Sequence, residues 1–192
     1  MGIEFELKYT DTECQIPSIM NDLSSEWYPI SMETTYYDTP SGSLSKKHYT
    51  LRHRLENKFH ICTIKTPLSD GARGEWETEC DDIRTAIPEL CKLGAPEDLA
   101  ALTEEGLEAV CGARFRRHIC NIHLAGTKLE VALDEGILFS GDRQLPLHEV
   151  EVELKSGHKF LAVLYAKHLA KKYKLQPQPK SKFRRALELR EE

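Results

Sequence analysis

Residues 3–9 read Ile3-Glu4-Phe5-Glu6-Leu7-Lys8-Tyr9, and this stretch alternates apolar with charged side chains at every position. In an extended strand successive side chains point to opposite faces, so the charged residues share one face and the apolar residues share the other. The same alternation returns in residues 51–55, 73–80, 114–116, 128–134 and 149–155. The sequence therefore predicts a sheet in which most strands contribute to one charged face.

The composition argues against two classes of protein. Of 192 residues, 40% are hydrophobic and 30% are charged, and the net charge is −5. A general nucleic-acid binder is usually basic, and no run approaches the roughly 18 apolar residues of a membrane helix. The N-terminal residues lack the basic region and apolar core of a secretion signal. We therefore expect a cytoplasmic protein with neither a nucleic-acid nor a membrane partner.

The length and the cysteine pattern predict one domain. A chain of this size buries a sizeable core, so we expect residues 1–192 to form a single domain that includes a C-terminal helical segment, residues 157–192. The six cysteines contain no C-x-x-C pair and are expected to be reduced.

Polarity and turn residues predict eight strands and at least three helices. The strands are expected at residues 3–9, 31–38, 48–56, 59–66, 73–80, 113–124, 127–135 and 145–155, with a short apolar piece at 137–139. Helices are expected after Asp11 or Thr12, after Asp81 or Asp82 with breaks at Pro88 and residues 94–96, and from Ser156 or Gly157 to about Lys174. Residues 67–74 are expected to form a mobile loop. Because short turns join most strands, we predict an α+β fold, an antiparallel eight-stranded barrel with helices packed outside.

The charged faces of these strands have two readings. They could be the solvent face of an antiparallel sheet, which is the ordinary arrangement. Two features favour an interior tunnel instead: acids stand at alternate positions in residues 75–79 and 149–153, and paired arginines stand on other strands. Neighbouring carboxylates repel one another unless a cation lies among them, and grouped guanidinium groups need an anion. A charged tunnel that binds a polyanion and a divalent cation meets both needs.

A series of short motifs also follows a fixed order along the chain. The series is Glu4-Phe5-Glu6-Leu7-Lys8, Tyr36-Tyr37-Asp38-Thr39-Pro40, Leu51-Arg52-His53-Arg54, Thr63-Ile64-Lys65, Arg73-Gly74-Glu75-Trp76-Glu77, the pair Arg114 and Arg116, Leu133-Asp134, Glu151-Val152-Glu153-Leu154 and Ser181-Lys182-Phe183-Arg184-Arg185. Together these motifs resemble the CYTH domain, the triphosphate tunnel metalloenzyme superfamily. The resemblance spans nearly the whole chain and implies an eight-stranded antiparallel tunnel, as the alternation does.

The resemblance also implies roles for individual residues. A divalent metal, Mg²⁺ or Mn²⁺, would be held by Glu4, Glu6, Glu151 and Glu153. Phosphate groups would be bound by Lys8, Arg52, Arg54, Lys65, Arg114, Arg116 and Lys182, and the catalytic residues would be Lys8, Lys65 and Glu6. A second group of acids either adds to the metal site or orients a neighbouring cation: Glu75, Glu77, Asp134 and Glu149, the last at a rim position. Arg73 would bind phosphate or pair with Glu75 or Glu77.

Members of this superfamily act on triphosphates, so the resemblance implies metal-dependent hydrolysis of a triphosphate substrate inside the tunnel. Inorganic tripolyphosphate is expected first, because it needs only charged groups. Animal thiamine triphosphatases carry a tryptophan two residues before the first arginine of L-R-x-R, where this chain has Thr50, although Trp27 or Trp76 could approach from elsewhere. The alternatives are a class IV adenylate cyclase, a thiamine triphosphatase and a non-catalytic polyphosphate- or nucleotide-binding module. The oligomeric state, a homodimer included, is left open.

Overall fold

The computed structural model shows an α+β fold built on one antiparallel sheet. It describes residues 2–23, 26–68 and 73–190, with the side chains from residue 5 onward. The strands are β1 (Gly2–Glu4), β2 (Glu6–Thr10), β3 (Tyr28–Asp38), β4 (Thr50–Glu56), β5 (Phe59–Pro67), β6 (Arg73–Glu79), β7 (Glu108–Leu124), β8 (Thr127–Ser140), β9 (Arg143–Ser156) and β10 (Gln176–Pro177). The helices are α1 (Ile16–Leu23), α2 (Ser43–Lys46), α3 (Ile83–Lys92), α4 (Leu99–Leu102), α5 (Lys159–Lys172) and α6 (Lys182–Glu188).

The N-terminal segment joins the two ends of this sheet. The strand order is β1-β6-β5-β4-β3-β7-β8-β9-β2-β10. β1 pairs with β6, whereas β2, which begins directly after Phe5, pairs with β9. Residues 2–10 therefore connect β6 with β9, and the sheet curves around the space between them.

The eight predicted strands correspond to the observed ones when β1 and β2 count as halves of one strand and the two-residue β10 is set aside. Several boundaries differ from the prediction. β7 begins at Glu108, and residues 137–139, predicted as a separate piece, belong to β8. Ala125 and Gly126, both with positive φ, form the tight turn between β7 and β8.

Two hydrophobic cores lie on the outer face of the sheet. α1 and α5 cover β2, β8 and β9, where Ile19, Leu133 and Val152 are fully buried. α3 and α4 cover β4, β5 and β6, where Leu51 and Ile64 are fully buried. In β2, β4, β5, β6, β8 and β9 the apolar members of the alternation thus point outward into these cores, and the charged members point to the opposite face.

α6 is the exception to the predicted placement of helices on the outside. Its Phe183 and Ala186 are buried against Tyr36 of β3 and Phe115 of β7, whose side chains share the inner face with the charged residues. The rings of Tyr36 and Phe183 have centroids 5.1 Å apart. α6 therefore lies against the inner face at one end of the sheet and brings its first residue, Lys182, to the interior.

α3 is continuous through Pro88, where the sequence predicted a break. Pro88 lies on the exposed side of the helix, whereas Ile83, Ile87 and Leu90 are buried against the sheet. Packing of this apolar stripe outweighs the hydrogen bond that proline removes. The second predicted break, at residues 94–96, does follow the end of the helix at Lys92.

Asp38 of the Tyr-x-Asp-Thr motif has a structural role. Its buried carboxylate accepts hydrogen bonds from the backbone N–H groups of Leu44 at 2.9 Å and Ser45 at 3.1 Å, at the start of α2. These bonds satisfy N–H groups that a helix start leaves without partners. Asp38 therefore fixes the connection between β3 and β4.

Two smaller findings concern the thiols and the helices. All six cysteines, each of which the structure describes, are free, in agreement with the prediction. Among the described residues, no helix combines the length and the apolar character needed to cross a membrane.

The cap of α3 gives a matched test of the fold. Asp82 accepts hydrogen bonds from the backbone N–H groups of Arg84 at 2.7 Å and Thr85 at 3.1 Å. We expect Asp82→Ala to lower the free energy of unfolding by about 1 kcal/mol, because two N–H groups lose their acceptor. Asp81→Ala should change it by less than about 0.5 kcal/mol. Urea unfolding measures both, and equal losses would contradict the assignment of the cap.

Candidate functional site

Charged side chains line a cavity of about 310 Å³ on the inner face of the sheet. The basic lining residues are Lys8, Arg52, Arg54, Lys65, Arg73, Arg117, Lys155 and Lys182, and the acidic ones are Glu6, Glu56, Glu75, Glu77, Glu130, Glu151 and Glu153. Met32, Phe115 and Phe183 add apolar wall where α6 lies. The charged faces thus point inward, as the tunnel hypothesis predicts, and we call this cavity the lumen.

β4, β5 and β6 form a basic wall. Arg52 contacts Glu75 at 3.4 Å and Glu77 at 3.6 Å, and Lys65 contacts Glu75 at 3.1 Å. Contacts of this length exceed the roughly 2.7–2.9 Å of a strong charged hydrogen bond. In this structure Glu75 and Glu77 orient neighbouring cations, which is one of the two roles the sequence left open for them.

Arg54 continues the same wall toward the far end of β4. Its guanidinium contacts Glu56 at 2.6 Å and Glu77 at 3.9 Å. Burial lowers the pKa of Arg54 to about 10, and the neighbouring Arg52 acts in the same direction. Two guanidinium groups that repel each other in a partly desolvated space favour an anion between them.

Three carboxylates form a row across β2, β9 and β8 on the other side of the lumen. Glu153 lies directly opposite Glu6 on one neighbour and Glu130 on the other. Cβ atoms of such pairs lie about 5 Å apart. Lys155 contacts Glu153 at 3.0 Å and Glu130 at 3.8 Å, and Lys8 contacts Glu6 at 3.3 Å. The predicted metal ligands Glu6 and Glu153 are therefore neighbours, and Glu130 joins them without having been predicted.

A second group of acids lies deeper. The carboxylates of Asp134, Glu149 and Glu151 each offer an oxygen, and these oxygens all lie within 4.8 Å of one another. Lys182 of α6 lies among them: its ammonium contacts Asp134 at 2.9 Å and Glu151 at 2.7 Å, and it also bonds Glu149. A lysine thus occupies the place that a metal ion would take.

Two arginines complete this network. Arg117 donates two hydrogen bonds of 2.7 Å to Asp134 and one of 2.6 Å to Glu151. Arg185 of α6 donates to Glu149. Three buried carboxylates are therefore matched by three cations, and we call these six residues the buried ion network.

Burial and the neighbouring cations act in opposite directions on the pKa values of Glu149 and Glu151, with a different outcome for each. Burial alone would raise the pKa of Glu151, but Lys182 and Arg117 lower it well below its usual range. Burial raises the pKa of Glu149, although Lys182 acts in the opposite direction. Burial acts to lower the pKa of Lys182, but Asp134 and the two glutamates raise it above its usual value. Lys182, predicted as a phosphate ligand, is a permanent cation held by carboxylates.

The placement of Arg114 and Arg116 in the lumen is wrong. Both are exposed on the outer face of β7, where Arg114 contacts Glu33 at 2.9 Å. Arg117 lines the lumen instead. The sequence does predict the turn at Ala125-Gly126. If the residues of the two strands are paired outward from that turn, Arg117 lies opposite Asp134, as observed.

The remaining predicted residues have mixed outcomes. Glu149 is not at a rim, since its exposed fraction is 0%. Arg73 lines the lumen and donates a hydrogen bond to Thr50 at 3.1 Å. Glu4 belongs to β1, but its side chain lies outside the described part of the structure. Residues 69–72 of the predicted loop also lie outside it.

Neither tryptophan lines the lumen. Trp76 is buried in the outer core beneath α3, and Trp27 packs against the outer core beneath α1 and α5. The suggestion that one of them approaches a ligand there is therefore wrong for the lumen, whose described lining residues include no tryptophan.

Comparison with known proteins gives a consistent result. The family model described as the CYTH domain matches residues 2–187. An inorganic triphosphatase of Haemophilus influenzae is 30% identical over 126 residues, which are 65% of this chain and 36% of that protein, so the match spans about a third of the relative.

Two solved structures, each 19% identical, show similarity of fold alone. One is a candidate adenylyl cyclase of Hippeastrum with a dominant triphosphatase activity, at TM-score 0.64 over 94% of this chain and 93% of that one. The other, from Pyrococcus horikoshii, has TM-score 0.63 over 98% and 100%.

Adjacent arginines test the buried ion network. Arg117→Ala leaves Asp134 and Glu151 without their shared donor, so we expect the free energy of unfolding to fall by about 3 kcal/mol. Arg116→Ala, on the outer face, should change it by less than about 0.5 kcal/mol. Urea unfolding of the two variants measures the difference. A larger loss in Arg116→Ala than in Arg117→Ala would contradict the assignment of Arg117 to the inner face of β7 and of Arg116 to the outer face.

Proposed function

The chain belongs to the CYTH domain family, and on that basis we propose that it hydrolyses triphosphates, inorganic tripolyphosphate first, with the help of a divalent cation. The observation that carries the proposal is the division of the lumen. Arg52, Arg54 and Lys65 stand on one wall, and the row Glu6, Glu153 and Glu130 stands across from them. A polyanion suits the first wall and a cation suits the second.

The carboxylate row fits a hard divalent cation such as Mg²⁺ or Mn²⁺, which prefers oxygen ligands. The row carries three carboxylates, and its contact Lys155 has a side chain that is 43% exposed and able to move away. The deeper acids Asp134, Glu149 and Glu151 fit less well, because Lys182, Arg117 and Arg185 already bond them. Glu151 is therefore a weaker choice of ligand than the sequence suggests. When bound, the cation neutralises phosphate charge and polarises phosphorus–oxygen bonds.

The chain's own residues then position the reactants. Arg52 and Arg54 present planar forks that bind phosphate oxygens bidentately, and Lys65 adds a point charge beside them. Glu6, which contacts Lys8, orients the attacking water. Water attacks a terminal phosphorus, the bond to the bridging oxygen breaks, and orthophosphate and pyrophosphate are released. Lys8 and Lys65 stabilise the charge that develops on the leaving group.

The choice of an inorganic substrate rests on the lining of the lumen and on one relative. The lining is dominated by charged groups, and Thr50 lines it at the position where a tryptophan would stack on a thiamine ring. The Haemophilus influenzae relative is named an inorganic triphosphatase. The cytoplasmic location and the absence of a nucleic-acid partner stay predictions.

A substrate panel tests the proposal. With Mg²⁺ or Mn²⁺ we expect orthophosphate release from tripolyphosphate to be faster than from ATP or thiamine triphosphate, and a chelator should abolish it. Coupled phosphate detection measures the rates. Cyclic AMP and pyrophosphate from ATP would instead indicate a cyclase. Binding without turnover of any of the three would indicate a non-catalytic module.

Two substitutions test the catalytic assignment. Lys8→Ala and Glu6→Ala should each lower the turnover of tripolyphosphate by about 100-fold or more, because a group that acts on the reacting phosphate is lost. Thermal unfolding should show that both variants stay folded. Arg116→Ala, on the outer face, is the control and should keep wild-type turnover. Full activity in either lumen variant would overturn the assignment.

A further inference from the structure

The lumen has two distinct ends. Along β4 its lining residues run in the order Thr50, Arg52, Arg54 and Glu56. At the Thr50 end the lumen adjoins a second cavity of about 500 Å³, with which it shares six lining residues, among them Glu6, Lys8, Thr50 and Arg73. We call this second cavity the antechamber. At the Glu56 end lies the β4–β5 turn.

The antechamber has a basic lining. Its basic residues are Lys8, Arg73, Lys180 and Arg184, and among the described residues that line it the single carboxylate is Glu6. At the Glu56 end of the lumen that carboxylate is paired with Arg54 at 2.6 Å. The charge of the antechamber thus favours the approach of an anion.

Two of these cations belong to the entrance rather than to the lumen. Lys180 and Arg184 line the antechamber but not the lumen, and their side chains are 54% and 56% exposed. Both contact one acid, since Glu188 lies 2.8 Å from Lys180 and 3.0 Å from Arg184. Glu188 therefore holds the two cations at the start of α6 and offsets part of their charge.

We infer that the antechamber is the entrance for the substrate anion and that Lys180 and Arg184 draw the anion toward it. A concave surface lined by one sign of charge concentrates the field and raises the local concentration of the oppositely charged substrate. Lys180 and Arg184 are thus positioning residues for the substrate and do not touch the reacting phosphorus. The inference rests on the proposed function for the identity of the anion.

The experiment compares matched charge reversals. Lys180→Glu and Arg184→Glu should each raise the KM for tripolyphosphate by about 3- to 10-fold at low salt and leave kcat unchanged. The increase should fade at about 0.5 M salt, because salt screens exposed charges. Glu188→Gln should act in the opposite direction and lower the KM. Lys58→Glu makes the same change of charge at the exposed β4–β5 turn, at the other end of the lumen, and should leave the KM within about 2-fold of wild type.

Two results would overturn the inference: an unchanged KM in both Lys180→Glu and Arg184→Glu, or an increase in Lys58→Glu as large as that in Lys180→Glu. Calorimetric titration of tripolyphosphate separates this inference from the proposed function. If the wild type binds tripolyphosphate without hydrolysing it, the proposed hydrolysis fails, and the same four variants compared by Kd still test whether Lys180 and Arg184 attract the anion. Absence of binding would overturn both.

Discussion

The interior of this sheet depends on the matching of buried charges. An ionised side chain taken out of water loses several kcal/mol of hydration unless an opposite charge and hydrogen bonds replace it. Asp134 and Glu149, both with an exposed fraction of 0%, meet this requirement through Arg117 of β7 and through Lys182 and Arg185 of α6. The buried acids of β8 and β9 therefore depend on the cations of α6, and the cations of α6 depend on those acids. α6 is held by charge on one side and by the packing of Phe183 on the other.

The contacts of Asp134 and Glu151 with their cations are short, and several contacts of Arg52 and Lys155 are longer. The deep acids have their cations at short distances, whereas Arg52 contacts its acids at 3.4 and 3.6 Å and Lys155 spans two carboxylates at 3.0 and 3.8 Å. Loose pairs rearrange at smaller energetic cost than tight ones. The buried ion network is thus the rigid part of the interior. The side chains with longer contacts, such as Arg52 and Lys155, are the ones suited to exchange a partner for a phosphate or a divalent cation.

Much of the fold could be predicted from the alternation of apolar and charged residues, because alternate side chains of a strand lie on the same face. The assignment of the two faces is clear wherever one set of alternate residues is entirely apolar. Residues 3–9 and 149–155 are of this kind: among the described side chains Glu6, Lys8, Glu151, Glu153 and Lys155 line the lumen, and Glu149 lies in the buried ion network. Alternation failed at residues 114–117, because the three arginines there stand at both even and odd positions. Polarity alone does not show which of them face inward. Only the register set by the Ala125-Gly126 turn separates Arg117 from Arg116. Glu149 was predicted at a rim position, but it lies in the middle of β9, which runs from Arg143 to Ser156.

The path of the first ten residues carries a consequence for folding. The pairs β4–β5, β7–β8 and β8–β9 join neighbours along the chain and form by short loop closures. β2 pairs with β9, so the partner of Glu6, Glu153, lies about three quarters of the chain length away in sequence. Contacts of such high sequence separation form slowly and late. During synthesis β2 cannot pair with β9 until β9 has left the ribosome. Until then the row of Glu6, Glu153 and Glu130 is incomplete and its carboxylates are exposed to water.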